Sequence, residues 1–231
     1  HATFPDKPLR LIIGFPAGGP LDSHARLLSE KLSQNLGQPV VIDYKAGAGG
    51  SIGAEFVAKS APDGYTLLYG VASTMSANPI LFKSLPYSPE RDFVPIARLT
   101  AIPNVVVVAA TSPYRTLADL IAAAKAKPGK LSAGTGTSGY RLLLAGVHEA
   151  AGIKTLDVPY KATANVIQDL IGGAIDYSMI EVSGVTPLVQ SGRLRALAVA
   201  APKRVAALAD VPTLAEAGLP GVTLMSWTAL F

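Results

Sequence analysis

Residues Leu9 to Asp22 read LRLIIGFPAGGPLD. Leu9, Leu11, Ile12 and Ile13 form an apolar run of strand length, and Gly14 to Pro20 cannot continue it. From Leu21 the apolar residues recur at helical spacing through Ala25, Leu28 and Leu32, with Pro20 suited to a first helical position. The chain thus runs strand, Gly-rich turn, helix. Such a turn aims backbone N–H groups that lack intrahelical partners, together with the positive end of the helix dipole, into one concavity. An anion suits that concavity. Many α/β proteins open the same way with no ligand there, the glycines serving only to turn the chain. This stretch alone leaves both readings open.

Outward from it the alternation continues. Val40 to Asp43 reads as a second strand, and Ala46 to Ser51 (AGAGGS) as a second flexible turn leading to helical spacing at Ile52, Phe56 and Val57. Pro62-Asp63-Gly64 is a strong turn signal before a third strand at Tyr65 to Tyr69. Strands alternating with helices imply parallel pairing through right-handed crossovers, with ligands beyond the carboxyl ends of the strands. Gly14 to Gly19 and Gly70 to Ser76 would lie there. Pro79, Pro86 and Pro89 make residues 78 to 92 a loop with short helical pieces, and Phe93 to Leu99 and Asn104 to Ala110 read as strands. From Thr116 the pattern restarts, and Gly134 to Gly139 (GTGTSG) again links a strand to a helix. The expected fold class is α/β with two lobes, each a sheet flanked by helices. Residues 1–100 form the first lobe, 222–231 return to it, and 101–221 form the second.

The 231 residues are 49% apolar and 16% charged, enough to bury a core, and the net charge of +4 is spread along the chain. No basic stripe interleaves with aromatics, so nucleic acid is not an expected partner. The apolar runs at Val105 to Ala110 and Leu194 to Ala201 are strand-sized, so membrane insertion is not expected either. Cysteine is absent, which excludes disulfides, thiol catalysis and thiolate metal sites.

No catalyst emerges. Neither Gly14 to Gly19 nor Gly47 to Gly53 gives G-x-G-x-x-G, and no Gly-Lys-Ser/Thr phosphate loop occurs. The internal histidines, His24 and His148, are isolated within helical patterns and supply no metal-ligand spacing. No cofactor is expected. Glu181, closing an apolar strand, is the one acid that looks placed; simple solvation at a strand end explains it equally well.

The motifs also carry a resemblance. Phe4-Pro5-Asp6-Lys7-Pro8-Leu9-Arg10, then Phe15-Pro16-Ala17-Gly18-Gly19-Pro20 with Asp22, resemble the opening of the Bug/TctC family, the extracytoplasmic solute-binding proteins of tripartite tricarboxylate transporters. Collinear matches follow at Ala61-Pro62-Asp63-Gly64-Tyr65-Thr66-Leu67, Val158-Pro159-Tyr160-Lys161, Gly192-Arg193-Leu194-Arg195 and Asp210-Val211-Pro212-Thr213. The resemblance implies a flytrap of two α/β lobes of the type II periplasmic-binding-protein kind, closing on a small mono-, di- or aromatic carboxylate. By position, Phe15, Pro16, Ala17, Gly18, Gly19, Asp22, Ser73 and Thr74 would form the first-lobe side. Thr137, Ser138, Arg141, Tyr160, Lys161, Ala162, Thr163 and Glu181 would form the second. It also implies delivery to membrane transporter subunits, a periplasmic location with the signal peptide removed, a monomer, and no enzymatic activity. A sensing subunit that reports the bound carboxylate to a signalling partner is the alternative.

Four departures stand out. The second-lobe loop is shortened, with Tyr140-Arg141 where the family has a small residue and His. Ala162 replaces Gly, and Glu181 replaces Asp. Arg141 either pairs with a distal carboxylate of the ligand or lies on the helix surface. Family members also continue beyond a segment like Ser226 to Phe231, so the chain is expected to be a truncated one.

Overall fold

The computed structural model describes residues 4–18, 20–222 and 225–231. In chain order the elements are β1 (Leu9–Ile13), α1 (Pro20–Leu36), β2 (Val40–Tyr44), α2 (Ser51–Ala58), β3 (Thr66–Val71), α3 (Asn78–Leu81), β4 (Ala97–Ile102) and β5 (Asn104–Ala109). There follow α4 (Leu117–Ala126), β6 (Ser132–Thr135), α5 (Ser138–Ala151), β7 (Leu156–Pro159), α6 (Thr163–Ile171), β8 (Tyr177–Glu181), α7 (Val182–Gln190), β9 (Leu194–Ala200) and β10 (Ser226–Leu230). The α/β expectation holds, with two five-stranded sheets flanked by helices.

Contacts divide the chain into two compact units, one of His1–Thr100 with Trp227–Phe231 and one of Ala101–Ser226. Val222 and Met225, expected with the first, pack their side chains into the core of the second. Nor does the strand expected at Phe93 to Leu99 start there. Pro95 interrupts it, and the strand begins at Ala97, just after the Ile96 N–H has donated to the Leu230 carbonyl.

The first unit's sheet has the order β2-β1-β3-β10-β4. Within it β1 runs parallel to β2 and β3, with Ile13 opposite Tyr44 and Tyr69. Leu9, Leu11 and Ile13 meet Leu21, Leu28 and Leu32 of α1 on one face, while Leu68 on the other joins Ala54, Met75 and Phe93. Strand β10 enters antiparallel beside β3, Thr228 opposite Val71.

The second unit's sheet has the order β7-β6-β8-β5-β9. Here β6, β7 and β8 are mutually parallel, while β5 is antiparallel to both neighbours. Side chains alternate faces along a strand, and β5 obeys this strictly. Val106 and Val108 meet α4 and α5, whereas Val105 and Val107 meet α6 and α7. Helices on both faces explain why this strand reads as an unbroken apolar run.

Helix α6 is held by Val166 and Leu170, both 0% exposed, so these two side chains fix where its first residue, Thr163, stands. Leu170→Ala is expected to lower the stability of the second unit by about 2–5 kcal/mol, read from the urea midpoint.

Candidate functional site

In each unit the parallel strands end on one edge, and the helix after each strand starts there. In the first unit that edge carries the turn Gly14 to Gly18, the turn Lys45 to Gly50, and a π-helical turn at Ser73–Ala77. The turns touch through glycines. A Cβ on Gly14 would lie 2.7 Å from the Gly50 carbonyl oxygen, and one on Gly53 would lie 2.8 Å from Gly14 Cα. Gly50 adopts φ +91°, and a Cβ there would lie 2.4 Å from Thr74 Oγ1 and 3.0 Å from the Phe15 ring. The Gly-rich stretches therefore do two things, turning the chain and letting backbone pack on backbone.

Polar bonds lock the same edge. The fully buried Asn78 donates from Nδ2 to the Gly49 carbonyl and to Ser51 Oγ, each at 3.2 Å. Thr74 Oγ1 donates to the Gly49 carbonyl at 3.3 Å, and the Tyr87 hydroxyl donates to the Thr74 carbonyl at 2.7 Å. Ser73 beside it is half-buried. Phe15 is half-buried, and Pro16, Ala17 and Gly18 are exposed; Gly19 lies outside the described residues.

Asp22 sits in the first turn of α1 with 6% exposure. Its carboxylate accepts from the Tyr44 hydroxyl, from the Gly18 N–H at 2.8 Å and from Arg26 Nε at 2.9 Å. These donors, the Tyr44 hydroxyl foremost and the Gly18 N–H next, hold its pKa below the usual carboxylate range. Asp22 thus pins the Gly14–Gly18 turn to α1 and to the end of β2.

The second unit repeats the plan with other residues. Thr137 precedes α5, and its Oγ1 accepts the Tyr140 N–H at 3.3 Å; Ser138, the first helical residue, is half-buried. A Cβ on Gly136 would come within 2.9 Å of the Thr163 backbone, so this turn rests directly on the start of α6. Lys161 and Ala162 are exposed on the preceding loop, and Ala162 supplies no side-chain cap. The Tyr160 hydroxyl donates to Asp169 at 2.7 Å; burial and that carboxylate push its pKa up to about 12. Glu181 closes β8 and stands at the N-cap position of α7. Burial, then the Glu181 charge, raise the Tyr140 pKa. The exposed Arg141 is ion-paired through Nε to Asp157 at 2.7 Å, and Asp157 also accepts from Thr135 Oγ1 at 2.9 Å.

Phe15 to Gly18, Asp22, Ser73 and Thr74 therefore share one edge of the first unit. Thr137, Ser138, Tyr160 to Thr163 and Glu181 share one edge of the second, with Arg141 a turn into α5. Sequence reasoning passed over Asn78, Tyr44 and Tyr140, whose partners are remote along the chain. Among the described residues no group of three or more His, Cys, Asp or Glu is placed to hold a metal.

Two outcomes test this reading of the edges. Gly14→Ala drives a Cβ into backbone that cannot yield cheaply, and a loss of about 1–3 kcal/mol is expected in urea unfolding. Asp22, with its native pKa lowered, stabilises the fold fully above the unfolded value, and that contribution fades as pH falls through the native one. The stability advantage over Asp22→Asn should accordingly shrink between about pH 5 and about pH 3, measured by urea unfolding across that range.

The comparisons with known proteins point one way. The family model described as tripartite tricarboxylate transporter family receptor matches residues 24–231. A UPF0065 protein from the tcbD-tcbE intergenic region of Pseudomonas sp. strain P51 is 38% identical over 99% of this chain and 69% of its own length. Protein BugT of Bordetella pertussis is 36% identical over 99% of this chain and 71% of its own. Among solved structures, an R. palustris protein with adipate matches at TM-score 0.83 and 34% identity, covering 98% of this chain and 77% of that one. MatC from Rhodopseudomonas palustris with bound malate matches at TM-score 0.82 and 33% identity, covering 99% and 78%. The chain belongs to the TctC family of tripartite tricarboxylate transporter receptors, the periplasmic solute-binding proteins that include the Bug proteins.

Proposed function

We propose that this chain binds a small organic carboxylate in the periplasm and hands it to the membrane subunits of a tripartite transporter, without chemically altering it. The observation that carries this reading is the match, over nearly the whole chain, to structures solved with adipate and with malate. The first unit's edge supports it. A turn held rigid by Asp22 and by glycine contacts leads into α1, where backbone N–H groups and the helix dipole favour a carboxylate. We assign the grip on that carboxylate to Phe15–Gly19 and Ser73-Thr74 of the first unit, and propose Thr137, Ser138 and the Tyr160–Thr163 loop as the ligand-contacting residues of the second unit's own edge. Rigidity matters energetically, because a loop already ordered before binding loses little further entropy when the ligand arrives. Among the described residues no helix is long and apolar enough to cross a membrane, so the membrane step falls to partner subunits.

A thermal-shift panel of mono-, di- and aromatic carboxylates, with nucleotides and sugars as controls, tests this. A cognate carboxylate at about 100 times its Kd should add about 2.7 kcal/mol, raising Tm by roughly 5–10 °C. A shift with nucleotides or sugars, and none with any carboxylate, would overturn the reading.

A further inference from the structure

The turn that joins β2 to α2 has an unusual backbone. Ala48, Gly49 and Gly50 take φ of +47°, +63° and +91°, three residues in succession on the side of φ that a side chain resists. The turn closes on itself through the Gly50 N–H, which donates to the Gly47 carbonyl at 3.0 Å, and the Ser51 N–H, which donates to the Ala48 carbonyl. Two short-range bonds do not by themselves select one arrangement of a segment so rich in glycine, which is free to adopt either sign of φ.

The selection comes from 29 residues further along the chain. Asn78 opens α3 with none of its surface exposed, and its Nδ2 spans the turn, donating to the Gly49 carbonyl and to Ser51 Oγ, each at 3.2 Å. One side chain thus holds both the middle of the left-handed segment and the first residue of α2. Thr74 Oγ1 brings a second donor to the Gly49 carbonyl at 3.3 Å, and the Tyr87 hydroxyl anchors the Thr74 carbonyl at 2.7 Å. At the next residue, Gly50, three turns meet. Its carbonyl lies against Gly14, and its Cα faces Thr74 and the Phe15 ring, at separations too tight for an added methyl group. Any displacement of Gly49 therefore reaches Gly14 and Phe15, although Asn78, wholly buried, offers a ligand no surface of its own.

We propose that Asn78 is a positioning residue for the first unit's edge: its amide fixes the Ala48–Gly50 turn before a ligand arrives and so sets how tightly that edge holds a carboxylate. This rests on the carboxylate-binding reading above. Without the amide, Gly49 keeps the Thr74 donor, so the turn loosens rather than unfolds. The entropic cost of ordering it then falls on binding instead of folding.

Two measurements on the full chain test it. Titration calorimetry with butyrate, malate, adipate and benzoate compares wild type with Asn78→Leu, which keeps the shape and removes the donors, and with Asn78→Ala. Each variant should raise the Kd of every acid that wild type binds by about tenfold or more. Ser29→Ala is the control, since it removes the buried bond from the Ser29 hydroxyl to the Val40 carbonyl at the opposite end of β2. It should lower Tm while leaving Kd within about threefold of wild type. Hydrogen exchange on wild type covers the case in which neither Asn78 variant folds. The Gly50 and Ser51 amides should already be protected in the ligand-free protein, whereas in the folded variants they should exchange freely until an acid is bound. A purely structural role would lower Tm as Ser29→Ala does, with Kd and local exchange unmoved. That result, or freely exchanging Gly50 and Ser51 amides in ligand-free wild type, overturns the role of Asn78 alone. Absence of binding to all four acids by wild type overturns the carboxylate reading, and that role with it.

Discussion

Strand direction is the constraint from which the rest follows. Because β1, β2 and β3 run parallel, their carboxyl ends and the turns that follow occupy one edge, and β6, β7 and β8 do the same in the second unit. Parallel strands need crossovers, and the crossover helices start where the strands stop. Each edge thereby collects backbone N–H groups and positive dipole ends without requiring a single cationic side chain. The spread net charge of +4 fits that economy of means: recognition of an anion can reside in the backbone.

Glycine makes the edge of the first unit compact. At Gly14, Gly50 and Gly53 the contact is between main chains, at separations that no side chain permits. Asp22 and Asn78 then supply what glycine cannot, directional bonds that select one arrangement of a chain otherwise free to adopt many. A buried carboxylate with three donors and a fully buried amide with two acceptors are satisfied groups, so they add order without leaving an unpaired polar atom.

Much of the fold was legible in the sequence, and the reason is periodicity. The β1–turn–α1 passage and the run Val105 to Val108 carry signals that depend only on near neighbours: apolar spacing, glycine and proline. What failed was also local in cause. Pro95 blocks pairing within a stretch otherwise apolar enough for a strand, and the π-helical turn at Ser73–Ala77 has no spacing signal of its own. The site was legible as far as its backbone went, since Gly-rich turns announce themselves. Side-chain partnerships were not. Asp22 meets Tyr44 from 22 residues away along the chain, and Tyr140 feels the charge of Glu181 from beyond α6, separations that no local pattern encodes. Asp22 was legible through its motif, yet its partners within the fold were not.

The position of β10 bears on how the protein is made. The Tyr69 hydroxyl on β3 bonds Thr228 on β10 across 159 residues of chain, one of the longest loops the molecule closes. Until the ribosome has released β10, the inner flank of β3 has no hydrogen-bonding neighbour, although Leu67, Leu68 and Tyr69 already demand burial. In the contiguous second unit the wait is shorter, β5 meeting β8 and β9 within the same run of chain. Maturation is therefore staggered, with an exposed apolar strand awaiting a partner translated much later, and that interval is when a holding chaperone has most to protect.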